Sequence, residues 1–549
     1  MKLKITFILL FISVLGYSQV TNEGTPATWG LQNPEDIAPV VMPAFDLASL
    51  QKEDKDNENR KDIPYRFGYE FVVDYNLQNS GKWTVLENGD RVWRIRFYSE
   101  GAKTMNFVLS DFYMPEGATL YLYDNEKSDL LGAYDSKQNN PERVLGTWLV
   151  KGQDVWLEYF EPKEKEGQGR LEIFKLIHGY RGADDFFKST NDLNSSGDCH
   201  YDVNCTMGGI DGVKDVNKKS VALIILGSGV CTGAMVNNTS NDGTPYFLTA
   251  NHCYVAVPNL STWSFRFNWI SSNPVCGTSG ASGNGTNTHT ISGASLKARR
   301  IESDFALLEL NGSVPDSWDV VWAGWNRNTS VTAPVFCIHH PDGDIMKVSK
   351  DNAVPQSIQE IGFDPETQQQ VVYSVWNVDE WDMGVTEGGS SGSPLFDSNG
   401  LIIGQLLGGD SQCMDTTEFG GDVYGRFNVS WGTGTSASSR LRDWLDPTNS
   451  NVMTLQAYAP NLSSPEVVAE ELVSIYPNPS KDIFTVSMNN NYTALQYEVY
   501  NVLGKSVLTG SVTPSANTIN LAGNPNGIYI LKLTDNQSQK SLTYKIVKE

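Results

Sequence analysis

The 549-residue chain reads as mainly β and as several domains. Its 49 glycines and 24 prolines break it into short segments, and its apolar runs either alternate with polar residues or stop after a few positions. Period-two alternation bounded by turn residues marks half-buried strands, and a chain of this length exceeds one ordinary core. RVWRIRFYSEG and ATLYLYDNE alternate in this way, while VALIIL, YFLTA, DFALLEL and LIIGQLL are compact apolar runs set between Gly, Asn and Ser clusters. A helix is expected only at SRLRDWLDP, where Leu441, Trp444 and Leu445 have helical spacing. Ser436, Ser438 and Ser439 stand upstream as caps and Pro447 as the stop.

Residues 1–18 have the make-up of a secretory signal peptide: Lys2 and Lys4, an apolar run from Ile5 to Leu15, then small residues, with the cut before Gln19. No later run is long enough to span a bilayer as a helix. Residues 19–188 contain no cysteine and read as a β-rich part; their charged run QKEDKDNENRKD is expected to be a solvated linker. Residues 189–459 hold all seven cysteines and five of the six histidines. Beyond a linker around NLSSPEVVAEE, residues 472–549 suit a small β-sandwich without hydrolytic residues in any pattern.

The formal net charge of -23 repels phosphate backbones and anionic lipid, so nucleic acid is excluded as a partner while a cationic substrate is tolerated. In an exported chain cysteines tend to oxidise, and an odd count leaves one thiol over. With no Cys-x-x-Cys pair a zinc ribbon is not expected. His339 and His340 are adjacent and lack the His-x-x-x-His spacing of zinc hydrolases, so no metal and no cofactor is assigned. His289, in a polar Gly/Ser/Thr loop, is expected to be exposed and inert.

A serine that attacks a carbonyl needs a sharp turn, an imidazole to take its proton and backbone N–H groups facing the developing oxyanion. GGSSGSPLF supplies the turn and puts Ser391 at the nucleophile position, with Gly389 and Ser391 as oxyanion donors. YFLTANHC carries His252 at the end of an apolar strand, and SDFALLEL offers Asp304 at the head of another. The order His, Asp, Ser is that of the double-barrel serine proteases.

With these residues assembled, the middle region resembles the bacterial lysyl endopeptidases. CHYDVNC, CTGAMVNN, YFLTANHC, SDFALLEL, WAGWNR, IHHP, GVTEGGSSGSP, GQLLGG and DVYGRF carry the likeness over about 260 residues. It implies a chymotrypsin-like double β-barrel, disulfides Cys199 to Cys413, Cys205 to Cys276 and Cys231 to Cys253, and Cys337 as a buried free thiol. It also implies Asp422 at the base of the primary pocket, Ser411 beside it, and pairing of an extended substrate with the backbone of Leu406, Leu407 and Gly408.

The activity so implied is hydrolysis of protein or peptide substrates after Lys, and after Arg if the pocket admits it, by a monomeric enzyme. Leu407 stands where family members often carry a histidine, which puts their aromatic stack in question. Position 390 is serine, so trypsin-type activation by a new N-terminus paired to an aspartate there is not available. A glutamyl endopeptidase is disfavoured because Asp422 would repel an acidic side chain.

Residues 19–188 then read as a propeptide released by cleavage after Lys188. The C-terminal part resembles type IX secretion sorting domains through IYPNPSKDIFTV, VYNVLGKSV, GIYILKL and YKIVKE. That resemblance implies the type IX machinery as partner and an extracellular or outer-surface location. The reading from another class, a surface adhesin on a protease-like fold, is opposed by the intact His252, Asp304 and Ser391.

Overall fold

The computed structural model describes residues 22, 24–181, 196–278, 282–283, 285, 288–364, 366–413, 420–460, 473–488, 494–501, 505–534 and 541–549. The expected signal peptide, the Lys188 junction and the linker before residue 473 lie outside them. The chain forms two compact units, Met1–Pro460 and Asn461–Glu549.

The first unit begins with two antiparallel-rich sheets. One runs in the order Val40–Val41, Arg91–Tyr98, Asp154–Glu161, Thr119–Asp124 and Leu130–Tyr134, with Lys82–Val85 added on Arg91–Tyr98. The other runs Val150–Lys151, Thr104–Tyr113, Arg170–Gly179 and Gly68–Asn76, with Leu145–Gly146 added on Thr104–Tyr113. Phe97, Phe107, Leu109, Leu157 and Leu176 fill the space between them.

Two further sheets carry the cysteine-bearing region. The first is ordered Thr290–Ser292, Trp263–Phe267, Val221–Leu226, Gly229–Met235, Tyr246–Ala250, Phe305–Leu310 and Ala294–Arg300. The second runs Tyr201–Asp202, Lys347–Asp351, Val335–His339, Pro394–Phe396, Ile402–Gly409, Asp422–Arg426, Gln370–Val378 and Gln356–Phe363. Val221, Leu248, Phe305 and Leu307 of the first pack with Phe336, Phe396 and Ile402 of the second, so that the two sheets face each other as two half-barrels. Cys199–Cys413, Cys205–Cys276 and Cys231–Cys253 are bonded, and Cys337 is a free, buried thiol. Burial pushes that thiol up to about 12, so it stays protonated and unreactive at neutral pH.

The N-terminal sheets and the half-barrels share one apolar core, to which Leu223, Ile225, Val230, Trp269 and Ile345 contribute. At the contact Arg266 lies 3.9 Å over the Trp148 ring. Gly146 is needed there: a Cβ would sit 1.9 Å from the Thr262 carbonyl oxygen.

Three local expectations are corrected. The charged run is not a solvated linker: Leu47–Asp56 is a helix capped by Asp46, whose side chain accepts from Ser49 N at 3.0 Å, and Lys61 is only 2% exposed. Composition could not reveal that Asp54 is neutralised by Arg66 and bonded by Tyr180 at 2.6 Å. The upstream serines cap the 3-10 turn Ala437–Ser439, not the helix Arg442–Leu445 that follows. His289 is half-buried, stacked on Trp318 with ring centroids 4.6 Å apart.

In the second unit, Val473–Tyr476, Ile483–Met488 and Thr518–Asn520 form one sheet, and Ser506–Val512, Leu495–Asn501, Gly527–Thr534 and Ser541–Lys548 form another. Phe484, Val499, Leu531 and Ile546 lie in their common core, a small sandwich.

His339 and His340 are both fully buried. His339 uses both ring nitrogens, 2.8 Å from Ser390 Oγ and 3.1 Å from Ser349 Oγ. His340 Nδ1 lies 2.9 Å from the Asp344 carbonyl oxygen, and its ring stacks on Trp269. Burial holds His340 down to about 4 and His339 well below the ordinary imidazole range. The unfolded chain therefore binds more protons than the folded one in this interval. Their contribution to stability is complete above about pH 6.5 and declines as pH falls toward about 4. In a Ser391→Ala background, His340→Gln should flatten the dependence of Tm on pH between 7 and 4.5; an unchanged slope would rule His340 out as a source of acid lability.

Candidate active site

The site lies where the two half-barrels meet. His252 enters it because the strand Tyr246–Ala250 runs directly into the short helix Asn251–Ala256, which the Cys231–Cys253 disulfide ties to the neighbouring strand. Asp304 precedes Phe305–Leu310, which pairs with Tyr246–Ala250 so that Ala250 faces Phe305. This register brings the two side chains together: His252 Nδ1 is 2.7 Å from Asp304 Oδ2, and His252 N donates to Oδ1 at 2.9 Å. Asp304 also accepts Asn251 N on its carbonyl at 2.8 Å. It holds a positive φ of 46°, a costly conformation for a non-glycine residue that its three contacts sustain.

A carboxylate can only accept, so Nδ1 carries the proton and Nε2 is left as the accepting nitrogen. Nε2 is buried without a hydrogen-bond partner among the described residues. Burial raises the Asp304 carboxyl above its ordinary value, opposed by the charge and hydrogen bonds of His252.

Ser391 sits in the turn before Pro394–Phe396. Gly389 and Gly392 have φ of 84° and 81°, and a Cβ on Gly392 would come within 2.2 Å of Thr249 Oγ1; only glycine lets the turn approach the His252 strand. Thr232 pins the turn, donating its N–H to the Ser391 carbonyl at 2.8 Å and its hydroxyl to the Gly389 carbonyl at 2.9 Å. Ser390 points elsewhere, with Oγ on His339 Nδ1.

Beside Ser391 a buried pocket ends on Asp422, at the start of the strand Asp422–Arg426. Oδ2 accepts from Trp381 Nε1 at 2.6 Å, Thr386 Oγ1 at 2.8 Å and Ser411 Oγ at 2.7 Å. Oδ1 accepts from Lys61 Nζ at 2.7 Å. The same ammonium donates to the Ser411 carbonyl and to Ser411 Oγ, each at 2.7 Å. The carbonyl oxygen of Lys61 accepts from Ser391 Oγ at 2.6 Å.

Leu407 packs with Tyr373, Val375 and Val423. Gly408 lies beside Asp62, whose Cβ would be 3.9 Å from a Cβ built on the glycine. Lys61, Trp381 and Thr386 were not singled out from sequence. Lys61 sits in a charged run with nothing to distinguish it from its neighbours, and Trp381 and Thr386 are joined to Asp422 only through tertiary structure.

Residues 193–425 match the family profile described as lysyl endopeptidase, C-terminal domain, and residues 474–549 that described as secretion system C-terminal sorting domain. Over residues 193–425 the middle of the chain is similar to the lysyl endopeptidases. The lysyl endopeptidase of Pseudomonas aeruginosa is 28% identical over 294 residues, covering 51% of this chain and 60% of that protein. This chain thus spans less than two thirds of that relative's length.

Among solved structures, the Rv3671c protease of M. tuberculosis in its active form aligns with TM-score 0.27 and 15% identity over 44% of this chain and 88% of that one. The secreted serine protease VesC from Vibrio cholerae aligns with TM-score 0.24 and 14% identity over 60% of this chain and 69% of that one. The sorting domain marks the chain as exported, secreted or held at the cell surface.

Replacing Asp304 by Asn would offer His252 Nδ1 a donor and favour the wrong tautomer. The peptidase should lose about 10⁴-fold in kcat with KM little changed; a loss confined to KM would mean that Asp304 acts only on binding. Ser391→Ala should abolish turnover. Ser390→Ala, which strands the buried His339 Nδ1, should instead lower stability by about 1–3 kcal/mol and leave most of kcat, so the reverse pattern would exchange the two serines' roles.

Proposed function

We propose that the protein is a secreted serine endopeptidase that hydrolyses peptide bonds after lysine, with Ser391 as nucleophile, His252 as general base and acid, and Asp304 as the group that fixes the imidazole. The observation that carries this reading is the Lys61 side chain, whose ammonium ends on Asp422 while its carbonyl meets Ser391 Oγ. In turnover Ser391 Oγ attacks the scissile carbonyl carbon and passes its proton to His252 Nε2. The Gly389 and Ser391 N–H groups receive the oxyanion, and the imidazolium returns the proton to the leaving amine. Water then repeats the sequence on the acyl-enzyme.

The pocket favours lysine over arginine for a physical reason. A guanidinium gains most from bidentate contact with both oxygens of a carboxylate, yet Asp422 Oδ2 is already committed to three donors. One oxygen remains for a point charge. The three N–H bonds of an ammonium are matched by that oxygen, Ser411 O and Ser411 Oγ. Delivery through the type IX machinery follows from reading the C-terminal unit as its sorting signal.

The deciding measurement is kcat/KM of the processed enzyme on matched peptides with Lys, Arg, Leu or Glu before the scissile bond. Lys should lead and Glu should be refused. Asp422→Asn should cost about 10²- to 10³-fold on the Lys peptide, since it leaves a buried ammonium unpaired. Thr386→Val, which frees part of Oδ2, should narrow the gap between Lys and Arg. Equal rates on all four peptides would overturn the pocket assignment, and no cleavage of any would move the protein to the adhesin reading.

A further inference from the structure

Lys61 belongs to the N-terminal part of the same chain, 330 residues from Ser391, and its segment is anchored both before and after it in the sequence. Before it, the helix Leu47–Asp56 is tied down through Asp54 to Arg66 Nε at 2.8 Å and Tyr180 OH at 2.6 Å. After it, Tyr65–Arg66 adds as an antiparallel strand to the edge of Gly229–Met235, with Tyr65 opposite Val230 and Arg66 opposite Gly229. Phe67 N continues the attachment onto the Ser228 carbonyl at 2.8 Å. Between these anchors Lys61 descends into the pocket, and Arg60 braces the adjacent Asp62 through Nε at 2.9 Å and Nη2 at 2.7 Å.

The pose is that of a bound ligand and not of a reacting one. Ser391 spends its hydroxyl hydrogen on the Lys61 carbonyl oxygen, whereas attack requires that hydrogen on His252 Nε2, which is unpartnered among the described residues. Among the described residues the N–H groups of Gly389 and Ser391 do not donate to the Lys61 carbonyl, and no backbone hydrogen bond joins residues 58–62 to Leu406, Leu407 or Gly408. The side chain is held as a substrate's would be, while the peptide bond is held away from the groups that would cut it.

We propose that the N-terminal part is a tethered inhibitor of the peptidase and that Lys61 is its pocket-filling residue. The inference rests on the reading of the Asp422 pocket as a lysine site. Cutting the chain near residue 188 then leaves the enzyme latent, because the plug is held by its own anchors and core contacts. Activity appears only when this segment is displaced or destroyed.

The test uses the full-length chain with Ser391→Ala, so that nothing is cleaved, and reads the fluorescence anisotropy of a fluorescein-labelled decapeptide with a single lysine and of its leucine counterpart. A tethered group acts at an effective concentration of about 1 mM. Adding Lys61→Ala should therefore tighten binding of the lysine peptide by about tenfold or more and leave the leucine peptide weak. Gain for both peptides alike would keep the plug and overturn the lysine pocket. Gain for neither would overturn the plug.

A second readout needs no change at Lys61. In the same chain, brief acetylation followed by mass spectrometry should modify the exposed Lys52 and Lys55 and spare Lys61. Lys61 labelled as fast as those two would overturn the proposal, as would rapid scission between Lys61 and Asp62 in the chain with Ser391 intact, which would make the segment a substrate.

Discussion

A carboxylate removed from water must be supplied with hydrogen bonds and an opposing charge, or it gives up its own charge. Asp422 meets that demand unequally on its two oxygens, and the functional region is arranged around the inequality. Oδ2 is satisfied by Trp381, Thr386 and Ser411, which belong to the walls of the pocket and do not leave. Oδ1 is satisfied by the ammonium of Lys61, which comes from a segment far away in the chain. The walls fix the carboxylate in place, and the remaining oxygen turns its residual charge into a demand for one compact cation.

The rest of the scaffold serves to hold this demand at a fixed distance from Ser391. Asp422 starts the strand Asp422–Arg426, and that strand pairs with Ile402–Gly409, which in turn pairs with Pro394–Phe396 directly after the Ser391 turn. Pocket and turn are therefore carried by two strands of one sheet that flank Ile402–Gly409. His252 and Asp304 come from the other sheet, aligned by the register of Ala250 against Phe305. Thr232 crosses between the two, bonding the Ser391 turn through both backbone and side chain. Gly425 permits a close approach to the turn that carries Asp304, since a Cβ there would fall 1.9 Å from the Ser303 carbonyl oxygen.

Residues whose chemistry depends on their neighbours in the chain are legible in the sequence. Ser391 is marked by flanking glycines that a sharp turn requires, and His252 and Asp304 stand at the ends of apolar runs whose pattern already says strand. Asp422 has no such local mark, and only the family resemblance points to it. The cysteine pairing is of the same kind, because seven cysteines allow many connectivities and spacing does not choose among them. Trp381 and Thr386 lie beyond both routes, being gathered onto Oδ2 by the sheet.

The charged run is misread from composition for a more instructive reason. A polar, charge-dense segment is ordinarily solvated because burying it strands charges. That expectation assumes that no complementary site exists elsewhere in the chain. Here one does: the second half of the protein holds a buried half-satisfied carboxylate that needs a cation, and the first half offers one on a segment tied down at both ends. Composition treats each segment alone, so it assigns Lys61 to water and gives Asp422 no partner. Their burial is a property of the pair. On the proposed reading, the feature that would suit the pocket to a lysine in a foreign chain equally suits it to a lysine in its own. A peptidase selecting for an ammonium can thus be kept latent by the side chain it selects, provided that the carbonyl which follows is held off the oxyanion donors.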